Sequence, residues 1–143
     1  MGLVGVDVTA APDDLSPATE LREAVYRLVL ARVRRTAWAP SDLHVLNAAA
    51  SFSPAVPSLL PDGAVSWDSP AAVRAALAVL ARDAIDLLAF APASRLRECA
   101  ADDCAFLFLD TSRTGGRRWC AMDRCGNRQH VRAFRRRRQA VAR

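Results

Sequence analysis

A chain of 143 residues suits one small domain plus a metal module, and 52% apolar residues can fill a core. Aromatics make up only 6%, so alanine and leucine must do the filling. No apolar run reaches the length of a membrane span and no signal-peptide pattern opens the chain, so a soluble, cytoplasmic protein in a reducing compartment is expected. The net charge of +5 is unevenly spread: residues 1–94 carry seven arginines against ten Asp and Glu, whereas residues 95–143 carry thirteen against five. That skew points to a polyanionic partner for the C-terminal third, nucleic acid first. Lysine is absent.

Leu3-Val4-Gly5-Val6-Asp7-Val8 reads as a short opening strand. A first helix follows, with Ser16 as N-cap, Pro17 at its first position and an end near Ala37. Leu21, Val25 and Leu28 form its apolar stripe, and Glu23 and Arg27 stand at the spacing of a favourable ion pair. Ser41 caps a shorter helix from Asp42 to about Ala50, which carries an isolated His44. Pro61-Asp62-Gly63 is a turn signal between Ser58-Leu59-Leu60 and Ala64-Val65-Ser66-Trp67, which predicts a small hairpin. Ser69-Pro70 then opens a long helix to Phe90, with Val73, Leu77, Leu80, Ala84 and Leu87 as its core stripe and Arg74, Arg82, Asp83 and Asp86 on its wet side.

Beyond Pro92 the pattern changes. The only four cysteines of the chain form two equal pairs, Cys99-x4-Cys104 and Cys120-x4-Cys125. Four thiolates on one structural zinc is the favoured reading, since zinc takes four such ligands in a tetrahedron. Two disulfides, another metal including iron–sulfur ligation, or free thiols are the alternatives. Ala105–Leu109 is β-prone, 110–116 reads as a loop and Arg117-Arg118-Trp119 returns toward Cys120, so the cysteine pairs are expected to flank a hairpin and meet at its base. Gly126 is expected to let backbone approach a sulfur, and Asn127 to bond locally where a last helix opens. On that helix Val131 and Phe134 share one side, expected to pack on Trp119 and Phe108. Arg128, Arg132, Arg135 and Arg136 cluster on the other side and suit a nucleic-acid backbone.

Cys99-x4-Cys104, Phe108-Leu109-Asp110-Thr111-Ser112-Arg113, Arg117-Arg118-Trp119-Cys120 and Cys125-Gly126-Asn127-Arg128 together resemble the CGNR zinc finger over about residues 95–138. The resemblance implies a zinc-dependent, double-stranded-DNA-binding module of a bacterial transcription regulator, with Cys99, Cys104, Cys120 and Cys125 as ligands. It also implies that Asp110, Ser112, Arg118, Trp119, Asn127 and Arg128 brace the motif or contact the partner. With Gly126 added to the braces and Arg113 to the nucleic-acid contacts, these are the candidate site residues. Gln129-His130 departs from the family's usual small-then-basic pair. Upstream, Leu21-Arg22-Glu23-Ala24-Val25, Leu46-Asn47-Ala48 and the long helix are similar to the ABATE domain that commonly precedes this finger, although the family's opening strand is not recognisable before Asp13 and a truncated start is one reading of that.

The expected fold is α+β. A mainly helical, ABATE-like domain over 1–92 is followed by a treble-clef-like finger over 93–143. The expected function is transcription regulation through DNA, with the first domain sensing a small-molecule effector or forming a homodimer. An RNA- or protein-binding adaptor with a purely structural zinc is the alternative. No catalytic set is visible: both histidines are isolated, all cysteines are committed to metal, and four protein ligands leave zinc no open position.

Overall fold

The structure is a computed structural model and describes residues 11–68 and 72–141. The expected opening strand at Leu3–Val8 and the Ser69-Pro70 cap lie outside the described residues. The chain divides into two compact units between Ala91 and Pro92. Both are small and the architecture is α+β, with helices and two antiparallel two-stranded sheets.

In the first unit a short 3-10 turn, Pro12–Asp14, leads into α1 (Leu15–Arg34). The helix therefore starts before Ser16, whose hydroxyl donates to Glu20 rather than capping. It stops at Arg35, in the left-handed conformation with φ 56°, where the Thr36 N–H donates back to the Ala31 carbonyl. Helix α2 (Pro40–Ala50) begins on Pro40 at its first turn, where no N–H is missed. β1 (Val56–Leu59) and β2 (Val65–Asp68) form the expected hairpin, in register from Val56 opposite Asp68 to Leu59 opposite Val65. Gly63, at φ +81°, supplies the left-handed position of its turn. Helix α3 (Ala72–Phe90) completes the unit.

The core is made where α1, α2 and α3 pack on one another. From α1 it takes Leu21, Ala24, Leu28 and Val29, and from α2 Leu46. Of the stripe expected from α3, Ala84 is buried, and Leu77, Leu80 and Leu87 give way to the residue that follows each. Ala75, Ala78, Ala81, Ala84 and Leu88 are buried, while Leu80 is 50% exposed. Small side chains on the contact face let helix axes approach closely, so the alanines face the neighbours and the leucines flank them.

Polar groups close the helix ends. The Glu23 carboxylate favours the Arg27 charge along α1 as expected, but the hydrogen bonds of the guanidinium go to α2, where it donates to both oxygens of the buried Asp42 at 2.7–3.1 Å. Arg82 of α3 donates to the carbonyls of Ala50 and Phe52, which the end of α2 leaves without helical partners. The Trp38 indole donates to the Leu28 carbonyl.

Two outcomes follow. Leu28→Ala should cost about 3 kcal/mol, read as a lower urea midpoint with unchanged slope, because Leu28 is 1% exposed and its removal leaves a cavity. The hydrogen bonds from Arg27 hold the Asp42 carboxyl below its usual range. Its stabilisation is therefore present above the unfolded-state value and lost as pH falls through the lower folded one. Asp42→Asn should destabilise the helical unit at pH 7, and the deficit against wild type should shrink in urea melts taken below about pH 4.

Candidate metal centre

The second unit starts as a strand, β3 (Leu96–Glu98), paired antiparallel with β4 (Leu107–Leu109), with Leu96 opposite Leu109 and Glu98 opposite Leu107. The Cys99 N–H donates to the Phe106 carbonyl and continues the ladder. The first cysteine pair thus lies in the connection between the strands, where Cys104 N–H donates to the Ala101 carbonyl in a tight knuckle. This corrects the expected arrangement, in which 105–109 would pair with 117–119 and the cysteine pairs would flank that hairpin. Residues 117–119 form no strand; a single bond from Ala100 N–H to the Arg118 carbonyl lays them beside the knuckle.

Cys120 follows, and a five-residue turn of π geometry, Met122–Gly126, carries Cys125 into helix α4 (Asn127–Val141). Gly126 N–H donates to the Ala121 carbonyl and closes this wide turn. The Asn127 amide donates to the Asp123 carbonyl at 3.3 Å. A Cβ on Gly126 would meet the Met122 thioether at 2.7 Å, not a cysteine sulfur, so the close approach there is by a flexible side chain.

All four Sγ atoms lie within 4.8 Å of one another. Cys104 and Cys120 are 3.8 Å apart and Cys120 and Cys125 are 3.6 Å apart. A tetrahedron with zinc–sulfur bonds of about 2.3 Å has edges of about 3.8 Å. A disulfide needs about 2.05 Å, and all four cysteines are unbridged. The electrostatics fit a dication. Burial pushes the Cys99 thiol up, but the N–H groups of Cys120 and Ala101 and the neighbouring thiols outweigh it and bring Cys99 down to about 7. Burial and the other three sulfurs push Cys120 up to about 12. One thiolate forms readily while another resists, until a cation offsets the crowded negative charge. The centre takes one structural zinc, closed by four protein ligands.

Around the sulfurs sits a small core: Cys99, Ala101 and Cys125 are buried, with Phe108 and Trp119 packed against them. Trp119 meets the His130 ring edge-on at 5.3 Å, and the Arg118 guanidinium lies over its face. Val131 and Phe134 do not pack on Phe108 and Trp119 as expected; they are 48% and 59% exposed. The side of α4 that meets the finger carries His130 in their place.

Asp110 closes the long loop. It is buried, and it accepts from Ser112 N–H at 2.9 Å, from Ser112 Oγ at 2.6 Å and from Arg117 N–H at 2.9 Å. The Ser112 hydroxyl leads the bonds that lower its carboxyl to about 2. Arg113 is exposed at the loop's tip. Sequence reading missed the arginines that hold this loop. Arg95 donates to the carbonyls of Asp110 and Ser112, Arg97 donates to that of Gly115, and Arg117 donates to those of Trp119 and Cys120. It also missed Asp103. The arginine-rich composition points to an outside polyanion, and nothing in residue type separates an arginine that binds its own chain from one that does not.

On α4, Arg128 donates to the Cys125 sulfur at 3.3 Å. Arg128 and Arg132 both reach Asp103 in the knuckle, at 3.4 and 3.1 Å. Arg135 and Arg136 are exposed and make no hydrogen bond or ion pair among the described residues.

Withdrawal of zinc by a strong chelator should unfold the second unit, since little else fills its core. The expected reading is loss of helical circular dichroism from α4 and of the Trp119 signal, both restored by one equivalent of zinc. Cys120→Ser should mimic the chelated state and leave metal content well below one per chain.

Residues 95–138 match the CGNR zinc finger. Residues 1–90 match ABATE, described as "Putative stress-induced transcription regulator", and the match runs through the opening residues where no family strand was recognisable. No curated protein matches the chain. No described helix is long and apolar enough to cross a membrane. The chain belongs to the ABATE family, with a CGNR zinc finger and its one structural zinc following the helical unit.

Proposed function

We propose that the protein is a transcription regulator that binds double-stranded DNA through α4. The observation that carries the reading is a helix with six arginines and no carboxylate whose first turn is fixed to a metal ligand, Cys125. A helix held at one end and open along its sides can enter a groove, where arginine and glutamine meet phosphates and base edges. Arg135 and Arg136 are the leading phosphate contacts, with Arg128, Arg132, Arg118 and Arg113 around them. The zinc is structural, and the protein is not an enzyme. The helical unit supplies sensing or dimerisation: a cleft of about 360 Å³ lies among α1, α2 and α3, between Leu21, Val45, Phe52 and Leu77, with Arg74 and His44 at its polar margin.

One feature favours a second reading. Phe106 is 64% exposed on the surface that Arg128, Arg132 and Arg135 also line, and an exposed ring beside arginines is what an unpaired base stacks on. An adaptor for single-stranded RNA would therefore prefer single strands over duplex.

Titration of the zinc-loaded protein with duplex DNA at several salt concentrations tests the first reading. Affinity should fall steeply with salt. The double variant Arg135→Ala/Arg136→Ala should bind more weakly, with the slope of log K against log salt reduced by about 1.8, at about 0.9 for each lost phosphate. Binding that is absent or insensitive to salt overturns the reading, and tighter binding to single strands favours the adaptor.

A further inference from the structure

Asp103 occupies an unusual position for an acid. It sits in the knuckle beside a zinc ligand, yet its single oxygen Oδ2 receives two guanidiniums from successive turns of α4, Arg128 at 3.4 Å and Arg132 at 3.1 Å. Two cationic forks converging on one anionic oxygen is the arrangement that a phosphodiester oxygen takes between arginines. The three side chains remain roughly half open, at 39%, 49% and 46% exposure, so solvent and a partner can reach them. The two arginines line the open surface that Phe106, Ala121 and Val131 floor beside the sulfurs.

We infer that Arg128 and Arg132 form a phosphate seat on the nucleic-acid face, and that Asp103 is its resident internal anion, displaced when a backbone phosphate arrives. The inference rests on the DNA reading of α4 and adds to it a named seat and a brake. An ion pair this exposed is weak, so a phosphate can replace the carboxylate. While in place, the carboxylate offsets one of the two positive charges and lowers the attraction for any stretch of backbone. The seat then fills only where the rest of α4 is already well placed, which suppresses binding to arbitrary sequence more than binding to a fitting site.

The neighbour Asp102 provides the control. It is exposed and pairs with neither arginine, so Asp102→Asn makes the same change in net charge away from the seat. Zinc-loaded wild type, Asp103→Asn and Asp102→Asn are titrated with a short random-sequence duplex across a salt series. Asp103→Asn should bind about tenfold more tightly than wild type at moderate salt, with a salt slope steeper by about 1, one phosphate more. Asp102→Asn should show a smaller gain and an unchanged slope. Equal gains for the two variants, or no gain for Asp103→Asn at one zinc per chain, overturn the inference while leaving the DNA reading intact. Absence of binding by all three proteins overturns both. Should Asp103→Asn fail to hold zinc, the wild-type protein decides by NMR. The guanidinium resonances of Arg128 and Arg132 and the Asp103 carboxylate resonance should all shift as duplex is added. Shifts confined to Arg135 and Arg136 overturn the seat.

Discussion

Four sulfurs brought within 4.8 Å of one another cannot all carry negative charge unless a cation sits among them. The second unit is built around that constraint. Its strands are three residues each, its buried apolar cluster is a handful of side chains, and much of its backbone outside α4 is turn and loop. Such a unit has too little core to hold itself together. Metal coordination substitutes for hydrophobic area, and the binding free energy of the ion becomes folding free energy.

The same constraint explains why α4 is held differently from the helices of the first unit. Helix α1 is fixed along its length by a stripe of buried side chains. Helix α4 is fixed at its start, by Cys125 in the wide turn, by the Asn127 amide on the Asp123 carbonyl and by His130 against Trp119. Its apolar residues Val131 and Phe134 stay open. An anchored start leaves the remaining turns available on several sides, which suits contact with an extended partner.

Much of this was legible in the sequence, and the errors have physical causes. The ligand set is readable because four cysteines in two pairs of equal spacing match the four thiolates of one zinc site. The first hairpin is readable because Pro61-Asp62-Gly63 allows little but a turn. The second hairpin was paired wrongly. Strand propensity over 105–109 covers β4, which is shorter at Leu107–Leu109, but propensity does not choose a partner, and the tight knuckle at Ala101–Cys104 lets the chain return on β3 at once. In α3 two apolar stripes lie side by side. Hydrophobicity favours the leucines, whereas close helix contact favours Ala75, Ala78 and Ala81, and contact distance decides which stripe is buried. The Glu23–Arg27 spacing gives the favourable interaction within α1, but a buried carboxylate needs hydrogen bonds more than an exposed one does, and Arg27 donates to Asp42.

Arginine count is therefore a poor guide to charge that is free to act. Arg27, Arg32 and Arg82 satisfy a carboxylate or carbonyls of the helical unit, and Arg95, Arg97 and Arg117 tie the finger's loop to its strands and to the metal turn. Each of these holds the fold as a polar fastener, and its charge is directed inward. Along α4 the commitment fades with distance from the zinc. Arg128 touches a ligand sulfur and Asp103, Arg132 touches Asp103 alone, and Arg135 and Arg136 touch no polar partner among the described residues. A charge gradient of that kind follows from the anchoring itself, because only the turns nearest the metal are close enough to the knuckle to meet its carboxylate. The far turns are left open, while the nearest ones are engaged with Asp103.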